Sequence, residues 1–241
     1  MKFLRIEKLT GHDFERAKKD LAILPIGSLE RHGDHLPIGT DTLTSEYISE
    51  KVADIVHCLV LPPVWYGSCR VMRNFIGTFD INEEVLYKYL KCIMVEAYRN
   101  GVKLLVVVNG HGGNSVQIAM AAREATRETD LSVLIVDWWK DLGLGALSKF
   151  TSTGHAGEDE TSAMLAINSD LVKMDFAKSH EVQYPSFKLY SRKVEGRIYE
   201  IALTGDATKA DKAKGEYLLN TVVNDLAKMI EDARRLISNN E

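Results

Sequence analysis

The chain has 241 residues, of which 45% are hydrophobic and 27% are charged, and its formal net charge at pH 7 is -4. This composition is typical of a folded globular protein and argues against a disordered or fibrous chain. The negative balance argues against a nucleic-acid partner, because phosphate backbones are bound mainly by clustered lysine and arginine.

Localisation and redox state follow from what the sequence contains. We find no stretch with the length and apolar character of a secretory signal or a membrane span, and we therefore expect a cytoplasmic protein without a membrane partner. The three cysteines, Cys58, Cys69 and Cys92, form no CxxC pair, which predicts free thiols in a reducing compartment. Cys58 and Cys92 lie in apolar patterns and are expected in the core. Cys69 lies in a loop, and its role stays open.

Four short apolar runs are typical of buried β-strands. They cover residues 21–28, 58–64, 103–110 and 131–139. Their near-continuous Val, Ile and Leu content indicates strands that are buried on both faces, as in a parallel sheet.

Helical periodicity fills the segments between and after these runs. It predicts helices at 43–56, from Asn82 to Gly101, at 115–128 with Asn114 as N-cap, and at 155–167. A long C-terminal helix is indicated by one apolar stripe formed by Leu219, Val222, Val223, Leu226, Met229, Ile230, Ala233 and Ile237. Residues 168–205 alternate poorly and predict loops with one or two short strands.

Strands that alternate with helices predict an α/β fold, a three-layer α/β/α sandwich with a mostly parallel central sheet. No linker is visible, so residues 1–241 are interpreted as a single domain. Ligands of such sheets bind outside the carboxyl ends of the strands. The sequence contains no GxGxxG, P-loop or GxSxG motif, which removes the usual support for a nucleotide cofactor or a serine nucleophile.

The first polar cluster, GSLERHGDHLPIGTDT, comes directly after the first predicted strand and contains Glu30, His32, Asp34, His35 and Asp41. Alternate residues of an extended segment point the same way, so Glu30 and His32 can converge on one site. Carboxylate and imidazole are ordinary ligands of zinc, manganese or iron. The alternative makes Asp41 the N-cap of the next helix and leaves the histidines as solvated loop residues.

The second cluster, VVVNGHGGN, places His111 between glycines at the end of the third predicted strand. Glycines let the backbone approach a ligand closely, although a tight turn with a surface imidazole fits the same letters. The third cluster, TGHAGEDETS, offers His155, Glu158, Asp159 and Glu160 at a helix start. Acidic residues there also stabilise the helix dipole, so their type alone does not define a site.

Together, PIGSLERHGDHLPIGTDT, VNGHGGN and HAGEDETS resemble the creatininase family of amidohydrolases over about residues 20 to 170. The resemblance implies a Rossmann-like creatininase fold, a hexamer and two divalent metal ions per chain, iron, zinc or manganese. It also implies that Glu30 and His32 bind separate metals, that Asp41 bridges them and that His111 is a further ligand.

The sequence departs from the family pattern at several positions. Creatinine-hydrolysing members carry a metal-binding glutamate where this chain has Gly113. Glu160 is our candidate for the missing carboxylate, with Glu158 as the alternative. Many members also have histidine and proline where this chain has Met72 and Ile76, which makes creatinine a less favoured substrate.

The resemblance implies a metal-dependent amidohydrolase acting on a carbon–nitrogen bond other than a peptide bond. His155 and Glu160 are the expected catalytic residues. His155 would protonate the leaving nitrogen, because an amine anion is too poor a leaving group, although a structural histidine is the competing interpretation.

For the substrate, small chains with HGGN resemble the archaeal branch that deformylates a formylamino-pyrimidine ribosyl phosphate on the route to riboflavin and deazaflavin cofactors. Arg70 and Arg73 are candidates for binding its phosphate through bidentate hydrogen bonds. Creatinine hydrolysis and a metal-free binding or assembly subunit are the alternatives. The roles of Trp138 and Trp139, in a substrate pocket or in packing, stay open.

Overall fold

The computed structural model describes residues 4–183, 186–187, 189, 191, 194 and 199–239. In this part of the chain, five parallel strands form one sheet in the order β1-β3-β2-β4-β5. The strands are β1 (Leu4–Arg5), β2 (Leu21–Ile26), β3 (Leu59–Val60), β4 (Leu104–Asn109) and β5 (Ser132–Asp137).

The four predicted strands are confirmed, and a fifth was not predicted. β2 and β4 pair in register from Leu21 with Leu104 to Ile26 with Asn109, and every residue of both strands is buried. Burial on both faces explains why their sequences are continuous apolar runs. β1 contains two residues, which is too short to produce a recognisable period.

Eight α-helices surround the sheet among the described residues. They are α1 (Gly11–Arg16), α2 (Thr40–Val56), α3 (Glu83–Arg99), α4 (Ser115–Glu128), α5 (Trp138–Asp141), α6 (Leu144–Leu147), α7 (Glu158–Asn168) and α8 (Lys212–Ser238). Two further short strands, β6 (Ser179–His180) and β7 (Gly205–Asp206), pair antiparallel.

Two apolar clusters cover the two faces of the sheet. On one face, α2 and α8 pack on the strands through residues such as Val52, Val106 and Leu226. On the other face, α3 and α4 pack through residues such as Leu90 and Ile118. The predicted three-layer α/β/α sandwich is therefore confirmed. The apolar stripe of α8 faces the core, and every helix of the described chain is too short or too polar to span a lipid bilayer.

Several boundaries and roles differ from the predictions. α2 begins at Thr40 with Gly39 as its N-cap, so the alternative that made Asp41 an N-cap is wrong. α7 begins at Glu158, which leaves His155 in the preceding loop. Asn114 makes no side-chain cap for α4, because its amide is used elsewhere.

Cys58 is buried as expected, but the expectation of a buried Cys92 is wrong. Leu86, Leu90 and Met94 carry the buried stripe of α3, and Cys92 lies off that stripe. β6 is the short strand found within residues 168–205, and the remainder of this segment falls partly outside the described residues.

Candidate metal centre

The side chains of Glu30, His32, Asp41 and His111 come together where β2 and β4 end. Each of them is at least nine-tenths buried. The loop after β2 carries Glu30 and His32, the first turn of α2 brings in Asp41, and the loop after β4 supplies His111. Parallel strands end at one edge of the sheet, which is why residues so distant along the chain meet there.

The loops at this edge are tied together by one buried amide. Asn114 donates from Nδ2 to the carbonyl of Gly27 at 2.9 Å and accepts at Oδ1 from the N–H of Ser68 at 3.0 Å. Gly110 lies so close to α2 that a Cβ on it would be 2.1 Å from the carbonyl oxygen of Asp41. This glycine therefore permits the approach that brings Asp41 to the site.

Asp41 lies at the centre of the cluster and uses its two oxygens differently. Oδ1 is 2.9 Å from Nε2 of His32, and Oδ2 is 3.0 Å from Nδ1 of His111. Ser28 donates its hydroxyl to Oδ2 at 2.7 Å. A carboxylate held between two imidazoles in this way has the geometry that suits a bridging ligand.

His111 is held in one tautomer by the surrounding backbone. Its Nε2 lies 2.8 Å from the carbonyl oxygen of Ser68, and because a carbonyl only accepts, Nε2 must donate. Nδ1 then faces Glu30 at 3.1 Å and is available as a metal ligand. The backbone N–H of His111 donates to Asn109.

His155 and Glu160 approach the cluster from the loop before α7 and from its first turn. The rings of His155 and His32 have centroids 4.2 Å apart, and Nδ1 of His155 is 3.7 Å from Glu30. Glu160 Oε2 is 3.6 Å from Nε2 of His32 and accepts from the N–H of Ala156 at 2.7 Å. Ala156 has a φ of 54°, a conformation that is uncommon for residues other than glycine.

Glu158, the alternative to Glu160, points away from the cluster. Its buried carboxylate accepts from Lys214 at 2.6 Å and from the N–H groups of Thr151 and Ser152. These partners satisfy its charge inside the protein. The side chain brought to the site is therefore that of Glu160.

The buried carboxylates and histidines of the cluster shift one another's pKa values. Burial alone would raise the pKa of Glu30 and of Asp41, but His111 and His32 outweigh it and both pKa values are lowered. Burial likewise opposes a charged His32, yet Asp41 and Glu160 raise its pKa to about 10. The pKa of His111 is raised by Glu30 and Asp41 in the same way.

Glu160 and His155, which line the cavity, have pKa values shifted in opposite directions. Burial raises the pKa of Glu160 to about 8 against the attraction of His32, with repulsion from Asp41 and Asp159 adding to the rise. Burial and repulsion from His32 lower the pKa of His155 to about 4. An imidazole with this pKa is neutral at pH 7.

The donor set fits divalent metal ions. Three overlapping groups each bring their ligand atoms within 4.8 Å of one another, namely Glu30 with His32 and His155, His32 with Asp41 and Glu160, and Glu30 with Cys69 and His111. Carboxylate and imidazole donors suit zinc, manganese and iron. Among the described residues, histidines are the only cationic partners within 4.0 Å of Glu30, Asp41 and Glu160.

A cavity of about 600 Å³ opens beside the cluster. Arg70, Trp139 and Tyr199 line it, together with the histidines at positions 111 and 155, whereas Arg73 does not. Trp138 packs in the core instead, which separates the roles of the two neighbouring tryptophans.

Sequence reasoning missed two residues of this region, Ser28 and Tyr199, and left the role of Cys69 open. Ser28 binds Asp41, Tyr199 packs edge-on against His155 with ring centroids 5.9 Å apart, and Cys69 is buried beside Glu30. Ser28 lies two residues beyond the end of β2, and a polar residue at a strand end is a usable signal. Tyr199 lies in a segment without periodicity, so the sequence contains no signal for its position.

Comparison with known proteins agrees with this geometry. The family model described as creatininase, creatinine amidohydrolase, matches residues 7–230. The chain belongs to the creatininase family. The predicted resemblance is thereby confirmed, and the creatininase-type fold with it.

Individual known proteins align over most of their length. The mycofactocin precursor peptide peptidase of Mycobacterium ulcerans is 30% identical, over 86% of this chain and 83% of that protein. The 2-amino-5-formylamino-6-ribosylaminopyrimidin-4(3H)-one 5'-monophosphate deformylase of Methanococcus maripaludis is 24% identical, over 92% and 96%. A solved structure titled "Creatininase Mn" superposes with a TM-score of 0.87 at 28% identity, covering 96% of this chain and 99% of that one.

Family membership and the donor set together identify this protein as a metal-dependent amidohydrolase of the creatininase family. The proteins it resembles carry different substrate names.

Proposed function

We propose that the protein is a dinuclear amidohydrolase. Glu30, Asp41 and His111 would hold one ion, and His32, Asp41 and Glu160 would hold the other. The observation that carries this proposal is the placement of Asp41, whose two oxygens face two different imidazoles at 2.9 and 3.0 Å. Divalent ions bound there would lower the pKa of a bound water and polarise an amide carbonyl.

In this proposal His155 moves the proton. Its Nε2 donates to the carbonyl of Arg31 at 2.9 Å, which fixes the ring and leaves Nδ1 as the basic nitrogen, directed toward Glu30. Nδ1 accepts a proton from the attacking water and delivers it to the leaving nitrogen, which cannot depart as an anion. Tyr199, packed edge-on against the ring, limits its rotation.

Within this reaction class we propose deformylation of the formylamino-pyrimidine ribosyl phosphate, a step of riboflavin and deazaflavin biosynthesis. Two observations support it: the deformylase from Methanococcus maripaludis aligns over 92% of this chain, and a cavity of about 600 Å³ has room for a nucleotide-sized molecule. Arg70 lies on the cavity wall, where its guanidinium can bind the phosphate.

Arg70 and Arg73 make a matched pair for testing phosphate binding. Both are exposed, but only Arg70 lines the cavity. We therefore propose Arg70 alone as the residue that binds the phosphate. We expect Arg70→Ala to raise KM for the phosphorylated substrate by roughly tenfold or more, the loss typical of a charged hydrogen bond. Arg73→Ala serves as the control. Equal KM values for both variants and the parent would exclude a role of Arg70 in phosphate binding.

A panel of substrates tests the deformylase proposal. It compares the formylamino-pyrimidine phosphate, creatinine, simple formamides and a short peptide, each with iron, manganese and zinc. Formate release from the first compound alone is the expected result. Creatinine is the second candidate, because the structure titled "Creatininase Mn" superposes over 96% of this chain. Turnover of creatinine or peptide without formate release would overturn the deformylase proposal.

We further propose that residues 1–241 act as one cytoplasmic domain that assembles into a homo-oligomer, a hexamer by resemblance. Supporting an assembly, Tyr66 and Phe79 pack edge-on at the surface and Ile76 is 92% exposed nearby in the chain. An exposed apolar group of this kind is typical of a subunit interface. Light scattering of the purified protein gives its mass, and a monomer would contradict the assembly.

A further inference from the structure

A cysteine lies inside the metal centre and has no role in the function proposed above. We propose that Cys69 binds, as a thiolate, the ion that Glu30 and His111 hold. This inference rests on the proposed dinuclear function and adds one ligand to it. Neither of the other two cysteines belongs to a group of potential ligands among the described residues.

The loop that carries Cys69 is fixed against the site at several points. The N–H of Cys69 donates to Asp80 at 2.8 Å, and its neighbour Ser68 is bound on both sides, by Asn114 at its N–H and by His111 at its carbonyl. The thiol is therefore delivered by a loop whose position depends on His111, the histidine that faces Glu30 and Asp41.

The thiol itself is placed as a ligand would be. Cys69 is 1% exposed, and its Sγ lies within 4.8 Å of a carboxylate oxygen of Glu30 and of a ring nitrogen of His111. Bond lengths of about 2.0–2.3 Å place the ligand atoms of one zinc ion roughly 3–4 Å apart, so small side-chain shifts suffice. The hydrogen bond from Sγ to the carbonyl of Gly67 is long at 3.8 Å and holds the thiol weakly.

Gly113 explains how the loop of residues 67–69 can approach His111 so closely. A Cβ at this position would lie 2.0 Å from the carbonyl oxygen of Ser68 and 2.5 Å from Nε2 of His111. A side chain at 113 and the observed path of the 67–69 loop therefore exclude each other. The glycine and the cysteine belong to one arrangement, in which the loop delivers a sulfur ligand.

Coordination by sulfur requires the thiol to lose its proton, and it affects which metal the position prefers. The S–H bond breaks, its proton leaves to solvent, and the sulfur lone pair forms the bond to the ion. Thiolate is a softer ligand than carboxylate, so this position would favour zinc or cobalt over manganese. Among the described residues, the group formed by His32, Asp41 and Glu160 contains no cysteine.

Cobalt absorption tests the proposal without depending on catalysis. The protein is freed of metal with a chelator and loaded with Co²⁺, and its near-ultraviolet spectrum is compared with those of Cys69→Ala and Cys92→Ala. We expect a sulfur-to-cobalt charge-transfer band in the parent and in the exposed-cysteine control, and its loss in Cys69→Ala. Affinity for one of the two cobalt ions should fall in that variant by on the order of 10- to 100-fold or more.

X-ray absorption of the zinc-loaded parent keeps the proposal testable if Cys69→Ala fails to fold. One sulfur neighbour at about 2.3 Å is expected. Two bound zinc ions with only nitrogen and oxygen neighbours would overturn the thiolate ligand and leave the dinuclear centre intact. A parent that binds neither cobalt nor zinc would overturn both.

Discussion

Two glutamates in the first turn of α7 differ in where their charge is balanced. Glu158 is fully buried, and Lys214 together with two backbone N–H groups surrounds its carboxylate. Glu160 accepts one backbone hydrogen bond and faces His32. Two glutamates in the same helical turn therefore lie in two different electrostatic environments.

The difference separates a carboxylate whose charge is balanced by a lysine from one that faces only a histidine. The protein supplies its own lysine for Glu158, and this ion pair joins α8 to α7. Around Glu30, Asp41 and Glu160, the described residues offer only histidines as cationic partners. Buried carboxylates grouped in this way are stabilised when a divalent cation joins them.

The largest effect is expected at the centre of the ligand group. Asp41→Asn keeps the shape of the side chain but removes the charge that would join the two ions. We expect metal content to fall from about two ions per chain and kcat/KM to fall by more than about 100-fold, since even outer partners of metal ligands cost 10- to 100-fold. Elemental analysis and steady-state kinetics measure both.

Asp34→Asn is the matched control, because Asp34 lies in the loop that leads to Asp41 but is exposed and pairs with Arg31 and Lys178. It should keep the metal content and activity of the parent. An Asp41→Asn variant with parental metal content would show that Asp41 has no part in binding.

His155→Asn should separate chemistry from metal binding. We expect kcat to fall by about 10²- to 10⁴-fold, the usual contribution of a general acid–base, while metal content stays unchanged. His12, which is exposed on α1, gives the control His12→Asn. A purely structural histidine would be indicated if His155→Asn lowered the melting temperature and left kcat intact.

The two glutamates of α7 can be tested directly against each other. Glu158→Gln should lower the free energy of unfolding by about 1–3 kcal/mol, because it weakens charged hydrogen bonds in a buried place, and should keep the metal. Glu160→Gln should lose metal affinity without that loss of stability. Denaturant unfolding of the chelator-treated variants and metal titration give the two readouts, and exchanged phenotypes would refute the assignment.

The smallest effect is expected where an ion pair is exposed. Lys178 is 55% exposed and binds Asp34, whereas Lys214 binds the fully buried Glu158. Lys178→Met should change the free energy of unfolding by at most about 0.5 kcal/mol, because solvent screens exposed pairs. Lys214→Met should cost more, and equal costs in urea unfolding would contradict the difference between the two environments.

Much of the fold could be predicted from the sequence because buried parallel strands have continuous apolar runs. β2 and β4 were predicted for this reason, whereas β1 has two residues and no pattern. Cys92 was expected in the core because it stands among apolar residues, but its angular position on α3 turns it outward.

Part of the site was predictable for a related reason. Glu30, His32, Asp41 and His111 follow strand ends that meet at one edge of the sheet, and the structure brings them together. The separation of Glu158 from Glu160 was not predictable, because it depends on Lys214, which is 56 residues away from Glu158. The approach of Cys69 likewise depends on distant contacts, those of its neighbour Ser68 with Asn114 and His111 beyond β4.

The dinuclear centre is tested most directly by counting metal ions. The protein is stripped with a chelator and titrated with zinc in a calorimeter, and the bound metal is then measured by elemental analysis. The account predicts two equivalents of zinc per chain, with hydrolase activity lost on stripping and regained on loading. A chain that binds no zinc, or saturates at one equivalent with full activity, would contradict it.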